Sequence, residues 1–180
     1  MKDTENREDW YREGEIREES FVNIYGKMLS LAKNPAKIFD PTVLDLIHVK
    51  DNILCDLKDQ STPFFTAGRK YGIDPRFAVT FNKKDKQRYI TLSNLSDIYI
   101  YFWVKWRKED RFGVNIPKTN RVYKIRFNKL LDYLTEDKLH EYERRKIDNR
   151  PNAKSSYVVD VRNMELLAEN GASVSSLNNA

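Results

Sequence analysis

Asp45, Asp56, Lys58 and Gln60 are the residues whose types and spacing can do chemistry. Asp56, Lys58 and Gln60 stand two apart in an apolar run, Ile53-Leu54-Cys55-Asp56-Leu57-Lys58, which reads as a strand, so their side chains share one face. A preceding run, Thr42-Val43-Leu44-Asp45-Leu46-Ile47-His48-Val49, reads as a second strand, and Lys50-Asp51-Asn52 between the two reads as a turn. With a two-residue loop at Asp51-Asn52, facing positions sum to about 103, which sets Asp45 opposite Lys58. Two carboxylates, an ammonium and an amide then converge among apolar neighbours. Partly buried carboxylates repel one another and call for a cation or donors. A divalent ion held by Asp45 and Asp56, Mg²⁺ or Mn²⁺, answers that need and leaves positions open for water and phosphate oxygens.

The elements that must position these residues follow from periodicity. Ile16, Phe21, Ile24, Tyr25, Met28 and Leu31 recur at helical steps and predict an amphipathic helix ending near Asn34-Pro35. After the hairpin, Pro63 to Tyr71 reads as a short helix closed by Gly72, Phe77 to Phe81 as a buried strand, and Lys83 to Arg88 as a basic loop. Ile98 to Trp106 reads as a strand covered on both faces, at the centre of a sheet or at a subunit interface. Val122 to Phe127 alternates apolar and basic residues. A helix is expected from about Asn128 to Leu134, resuming at Glu136 to Lys146, then a loop from Asp148 to Lys154 and a last strand, Tyr157 to Val161. Gly171 to Ala180 carries no charge or period and is expected to be a disordered tail.

Composition narrows the classes. The 180 residues hold 32 Lys and Arg against 27 Asp and Glu, with 40% hydrophobic residues, which describes a globular chain and excludes a disordered or collagen-like one. Cys55 is the only cysteine and His48 and His140 the only histidines, so neither an internal disulfide nor a Cys/His zinc cage can form. His48 falls on the hairpin face away from Asp45, and His140 reads as a helix-surface residue. The polar, acidic start and the lack of any apolar run near 20 residues point to a soluble chain in a reducing, cytoplasmic compartment, with no membrane. Residues 1–19 hold four bases and eight acids, which leaves 28 bases against 19 acids in the rest. Arg69, Lys70, Arg76, Lys83, Lys84, Lys86 and Arg88 cluster with only Asp74 and Asp85 among them, an electrostatic footprint suited to a phosphate backbone.

The pair of runs carrying Asp45 and Asp56-Leu57-Lys58 resembles the active-site hairpin of the PD-(D/E)XK nuclease superfamily. The family core is a helix, a β-meander, a crossover helix and a further strand, and residues 15–81 read in matching order. Leu44 stands where that family often has Pro, and Asp40-Pro41 is a rival match with a longer spacing. Asp40 would lie outside the strand, which favours Asp45. The resemblance implies an α/β fold with a restriction-endonuclease-like core, its central mixed β-sheet flanked by helices. The expected layout is one nuclease domain over 1–170, with its core at about 15–92 and a C-terminal elaboration at 93–170.

The resemblance also implies an acid from the first helix. Glu13, Glu15, Glu18 and Glu19 are the candidates, and Glu18 borders the apolar face centred on Phe21, Ile24 and Met28. The implied activity is Mg²⁺-dependent hydrolysis of DNA, site-specific or junction-resolving. In it Asp45 and Asp56 hold metal, Lys58 stabilises the attacking hydroxide and the charge on phosphorus, and Gln60 positions water or contacts the backbone. Arg69, Lys70, Lys83, Lys84, Lys86 and Arg88 would contact flanking phosphates of double-stranded DNA, and two-strand cleavage would call for a homodimer or higher oligomer. Two other readings stay open: a non-catalytic nucleic-acid-binding module using the same bases, and a nuclease acting on RNA.

Overall fold

The computed structural model describes residues 7–142 and 155–174. The chain divides into two compact units, Met1–Leu57 and Lys58–Ala180. Both combine helices with antiparallel β-structure, an α/β architecture. Among the described residues no helix is long and apolar enough to cross a membrane.

In the first unit, helix α1 (Arg7–Phe21) runs into a π-helical turn, Val22–Gly26, and a last α-turn, α2 (Lys27–Leu29). The wide turn is compatible with Gly26 alone, since a Cβ there would lie 2.8 Å from the Leu31 carbonyl oxygen. The helix predicted to reach Asn34 stops earlier. Ser30 turns left-handed at φ 54°, and Leu31–Lys33 forms strand β1 instead. Tertiary pairing overrides the helical period here: β1 lies antiparallel to β2 (Leu46–His48), with Leu31 opposite His48. Strand β2 pairs in turn with β3 (Leu54–Gln60), which completes a three-stranded meander. Phe21, Tyr25, Leu31, Leu44, Leu46 and Cys55 form the buried interior of this unit.

The hairpin register differs from the expectation. Leu46 faces Cys55 and Ile47 faces Leu54, so facing positions sum to 101 and the connection is a four-residue loop, Val49–Asn52. Asn52 takes φ 57°, and the Asp51 carboxylate accepts the Ile53 N–H and contacts His48 Nδ1 at 2.6 Å, which closes the longer loop. Continued by one residue, this register sets Asp45 opposite Asp56, and not opposite Lys58.

In the second unit, α3 (Ala67–Tyr71) ends at Gly72, whose φ of 68° suits glycine as the sequence suggested. Strand β4 (Ala78–Asn82) leads into α4 (Lys83–Ser93), so the basic segment is a helix and not a loop. Strand β5 (Ile98–Trp106) has the predicted bounds, and Ile98, Ile100, Phe102, Val104, Tyr101 and Trp103 are buried on its two faces. A hairpin of β6 (Glu109–Arg111) and β7 (Val114–Ile116) follows, then β8 (Thr119–Arg126), antiparallel to β5 from Tyr99–Arg126 to Trp106–Thr119. Helix α5 (Phe127–Leu130) packs on β5, β8 and α4. Rings of Phe81, Tyr89 and Phe127 meet with centroids 5.6 to 6.2 Å apart and join β4, α4 and α5.

The helix expected at Glu136 is a single 3-10 turn, Glu136–Lys138, leading to β9 (Leu139–His140). His140 is therefore not on a helix surface. It is buried, with Tyr71 Oη 2.8 Å from its Nδ1 and the Phe64 and Tyr142 rings against it. Strand β10 (Ser156–Asp160) runs between β9 and β4. It is not the last strand, because β11 (Glu165–Glu169) pairs with β8 and, through an Asn170-Gly171 turn, with β12 (Ala172–Ser173). The tail expected from Gly171 thus begins as a paired strand. The loop expected at 148–154 and the tail beyond 174 lie outside the described residues.

Candidate functional site

In the first unit two acids chosen from the sequence meet at one positive charge. The Lys37 ammonium donates to Glu18 Oε1 at 2.6 Å and to Asp45 Oδ1 at 2.7 Å. Lys37 stands on the short 3-10 turn Pro35–Ile38, and Asn34 holds that turn in place. The Asn34 side chain caps the turn by accepting the Ala36 N–H and donates Nδ2–H to the Leu44 carbonyl, while its backbone N–H donates to the Asp45 carbonyl. One buried amide therefore ties the turn carrying Lys37 to the segment carrying Asp45. The other Asp45 oxygen accepts the Leu57 N–H at 3.3 Å, where the β2–β3 ladder ends.

Glu18 is 8% exposed, on the inward face of α1. Its Oε2 is buried without a hydrogen-bond partner among the described residues. Asp56 is 3% exposed on β3, opposite Asp45 by register. Burial works against the Lys37 charge, but hydrogen bonding and attraction from Asp45, then from Glu18, outweigh it and raise the ammonium above its ordinary pKa. The group stays charged throughout the neutral range.

Strand β3 continues into the second unit, where its next outward residues have partners of their own. Lys58 Nζ donates to Asp85 on α4 at 2.7 Å and lies 5.4 and 5.5 Å from the Phe81 and Tyr89 ring centroids. Burial pushes the Asp85 carboxyl up, but Lys58, followed by Lys84 and Arg88, holds it below the usual carboxylate range. The Gln60 side chain, expected to position water or contact a nucleic-acid backbone, is engaged by the protein itself. Its Oε1 accepts the Thr80 N–H and hydroxyl and its Nε2 donates to the Thr80 carbonyl, so the side chain serves β4 as one more ladder partner.

The basic residues separate into two kinds. Arg69, Lys70, Lys83, Lys84 and Arg88 are exposed at the end of α3 and along α4. Lys86 turns inward, donating to the Leu134 carbonyl at 2.7 Å and lying 4.7 Å from the Tyr157 ring centroid, so its charge is satisfied within the unit.

Lys37 and Asp85 were not among the residues singled out from the sequence. Asp85 had a signal, as the one acid between Lys83 and Arg88. Lys37 had none, because its pairing depends on the Asn34 bracket. The donors around Lys37 are carboxylate oxygens, which suit a hard divalent cation in chemistry, and one of them is buried and unsatisfied. Among the described residues, however, no three Asp, Glu, His or Cys side chains form a ready-made metal cage. The sequence matches no family model and no curated protein.

Proposed function

We propose that the chain is a metal-dependent nuclease with a restriction-endonuclease-like core, its acidic centre built from Glu18, Asp45 and Asp56. The observation that carries this reading is the convergence of Glu18 and Asp45 on a single cation, the Lys37 ammonium, beside a hairpin whose register, continued by one residue, sets Asp56 opposite Asp45. The chain order of helix, three-stranded meander, helix and strand supports it, since that is the order of the PD-(D/E)XK core.

Asp45 and Asp56 would hold Mg²⁺ or Mn²⁺, and Glu18, which shares the Lys37 ammonium with Asp45, would add to the acidic centre. The bound ion supplies Lewis acidity toward a phosphate oxygen and toward water. Lys58, two residues after Asp56 on the same strand, would bring the positive charge that a phosphorane-like transition state needs, and its ammonium donates to Asp85. Exposed Arg69, Lys70, Lys83, Lys84 and Arg88 give the substrate backbone its counter-charge, with double-stranded DNA as the proposed substrate and a homodimer as the form that cuts both strands.

One observation favours a second reading, the non-catalytic nucleic-acid-binding module. Lys37 already pairs with both Glu18 and Asp45, and Asp85 with Lys58, so the carboxylates that would hold a metal and the ammonium that would serve it are engaged by protein partners.

Plasmid cleavage with Mg²⁺ or Mn²⁺ and with EDTA separates the two. The nuclease reading expects divalent-dependent nicking by the wild type and a loss of about 10²-fold or more in Asp45→Asn, Asp56→Asn and Lys58→Ala. DNA binding without cleavage by the wild type, or cleavage indifferent to these substitutions, overturns it.

A further inference from the structure

The β6–β7 hairpin carries a residue that its turn does not favour. Arg111 faces Val114, so the loop is Phe112-Gly113, with φ of 54° and 72°. A two-residue loop with both φ positive belongs to Asn, Asp and Gly, and a bulky residue in the left-handed region is an outlier. Phe112 is also 74% exposed. The position therefore combines backbone strain with an apolar ring in water, neither of which helps the hairpin fold. Such outliers persist where they serve a function.

The ring is held up from behind. Phe65 meets it edge-on at 6.3 Å, and the Arg111 guanidinium lies 4.9 Å from the Phe112 centroid and 5.8 Å from that of Phe65. The arms of the hairpin bring charge: Arg107, Lys108, Arg111 and Lys118 are exposed, against Glu109 and Asp110. Among the described residues Arg107, Lys108 and Lys118 have no ion-pair partner.

We infer that this hairpin is a DNA wedge, seating the Phe112 ring between base pairs of a duplex while Arg107, Lys108 and Lys118 meet the phosphates on either side. A two-stranded ribbon has the width for a DNA groove, and apolar side chains at such tips unstack base steps. The lone ring favours a duplex over a single strand, because single-strand platforms stack successive bases on several aromatics. Phe112 is the one aromatic residue largely exposed among the described residues of its unit. The inference rests on the nucleic-acid-binding part of the proposed function and not on cleavage.

The test uses the full chain in EDTA with a duplex carrying 2-aminopurine at several adenine positions, a base whose fluorescence rises when it unstacks. The wild type is expected to raise the fluorescence several-fold. Phe112→Ala should bind about tenfold more weakly and give no rise, while Phe112→Tyr keeps the rise. Both substitutions lie at an exposed tip, and an unchanged thermal midpoint verifies folding. Absence of duplex binding, a wild-type signal confined to single-stranded 2-aminopurine DNA, or an equal rise with Phe112→Ala overturns the wedge. So does a Phe112→Ala chain that binds DNA normally but loses self-association, which would make the ring a protein contact. A normal rise without Mg²⁺-dependent cleavage sinks the cleavage reading alone, and normal cleavage with no rise sinks the wedge alone.

Discussion

Lys58 and Asp85 form a 2.7 Å ion pair, 14% and 9% exposed at their side chains, with the ammonium near two aromatic rings. A largely buried ammonium on β3 is thereby paired with a largely buried carboxylate on α4. Removing either partner alone takes an opposite charge away from a largely buried group, which costs more than the pair contributes.

Asp85→Asn is accordingly expected to destabilise the chain by about 3 kcal/mol in urea unfolding at neutral pH. The pH dependence has a definite sign. The folded Asp85 carboxyl lies below its ordinary value of 3.8, so its contribution is complete above that pH and is lost as the pH falls through the folded value. Wild-type stability should therefore decline below about pH 3.8 more steeply than that of Asp85→Asn. Parallel declines would show that Asp85 does not carry this charge linkage.

At Lys37 the same physics makes a test of metal binding that needs no activity. Lys37→Met removes the cation between Glu18 and Asp45 and leaves two largely buried carboxylates converging on an apolar side chain. A loss of about 2 to 3 kcal/mol is expected in low salt with EDTA. If Asp45 and its neighbours hold a divalent ion, Mg²⁺ should restore stability to this variant as RT ln(1 + [L]/Kd), about 2.7 kcal/mol at one hundred times Kd. The wild type, which has the tethered ammonium to displace, should gain less. Thermal melts across a Mg²⁺ titration read the difference, and equal responses of the two proteins would contradict a metal at this place.

Much of this arrangement could be read from residue order, and the missing parts have physical causes. The Ile98–Trp106 strand was legible because eight of its nine residues are β-branched or aromatic and leave no other period. The hairpin carrying Asp45 and Asp56 was legible but its register was not, since Lys50-Asp51-Asn52 signals a turn without fixing its length. The Asp51 side chain, by bonding Ile53, selects four loop residues over two. Glu18 was chosen for its angle beside Phe21, and it is buried, but the rest of the expected face is not, since Ile24 and Met28 are exposed and Tyr25 is buried within the π-helical turn at Val22–Gly26. The Glu18 partner Lys37 was hidden, because Asn34-Pro35 reads as the end of a helix and says nothing of the bracket Asn34 makes to Leu44. The β6–β7 hairpin was missed for a similar reason: Phe112-Gly113 lacks the Asn or Asp that marks such turns.

The division among the basic residues leads to the last prediction. Lys83 and Lys84 are exposed on α4, whereas two residues further on the Lys86 ammonium is bound to the Leu134 carbonyl and lies over Tyr157. A phosphate contact releases condensed counter-ions, so each one adds about 0.9 to the slope of log affinity against log salt. Lys83→Ala and Lys84→Ala should each weaken duplex binding and flatten that slope by about one, with little change in folding stability, Lys84 losing only its share of the attraction on Asp85. Lys86→Met should do the reverse. Its loss leaves the Leu134 carbonyl without that donor and removes a cation from the Tyr157 face, which costs about 1 to 3 kcal/mol of stability while the salt slope stays as in the wild type. Fluorescence anisotropy from 50 to 200 mM salt, paired with urea unfolding of the same three variants, separates the effects. A flattened slope in Lys86→Met with unchanged stability would mean that its ammonium leaves Leu134 for DNA, and would return Lys86 to the binding surface read from the sequence.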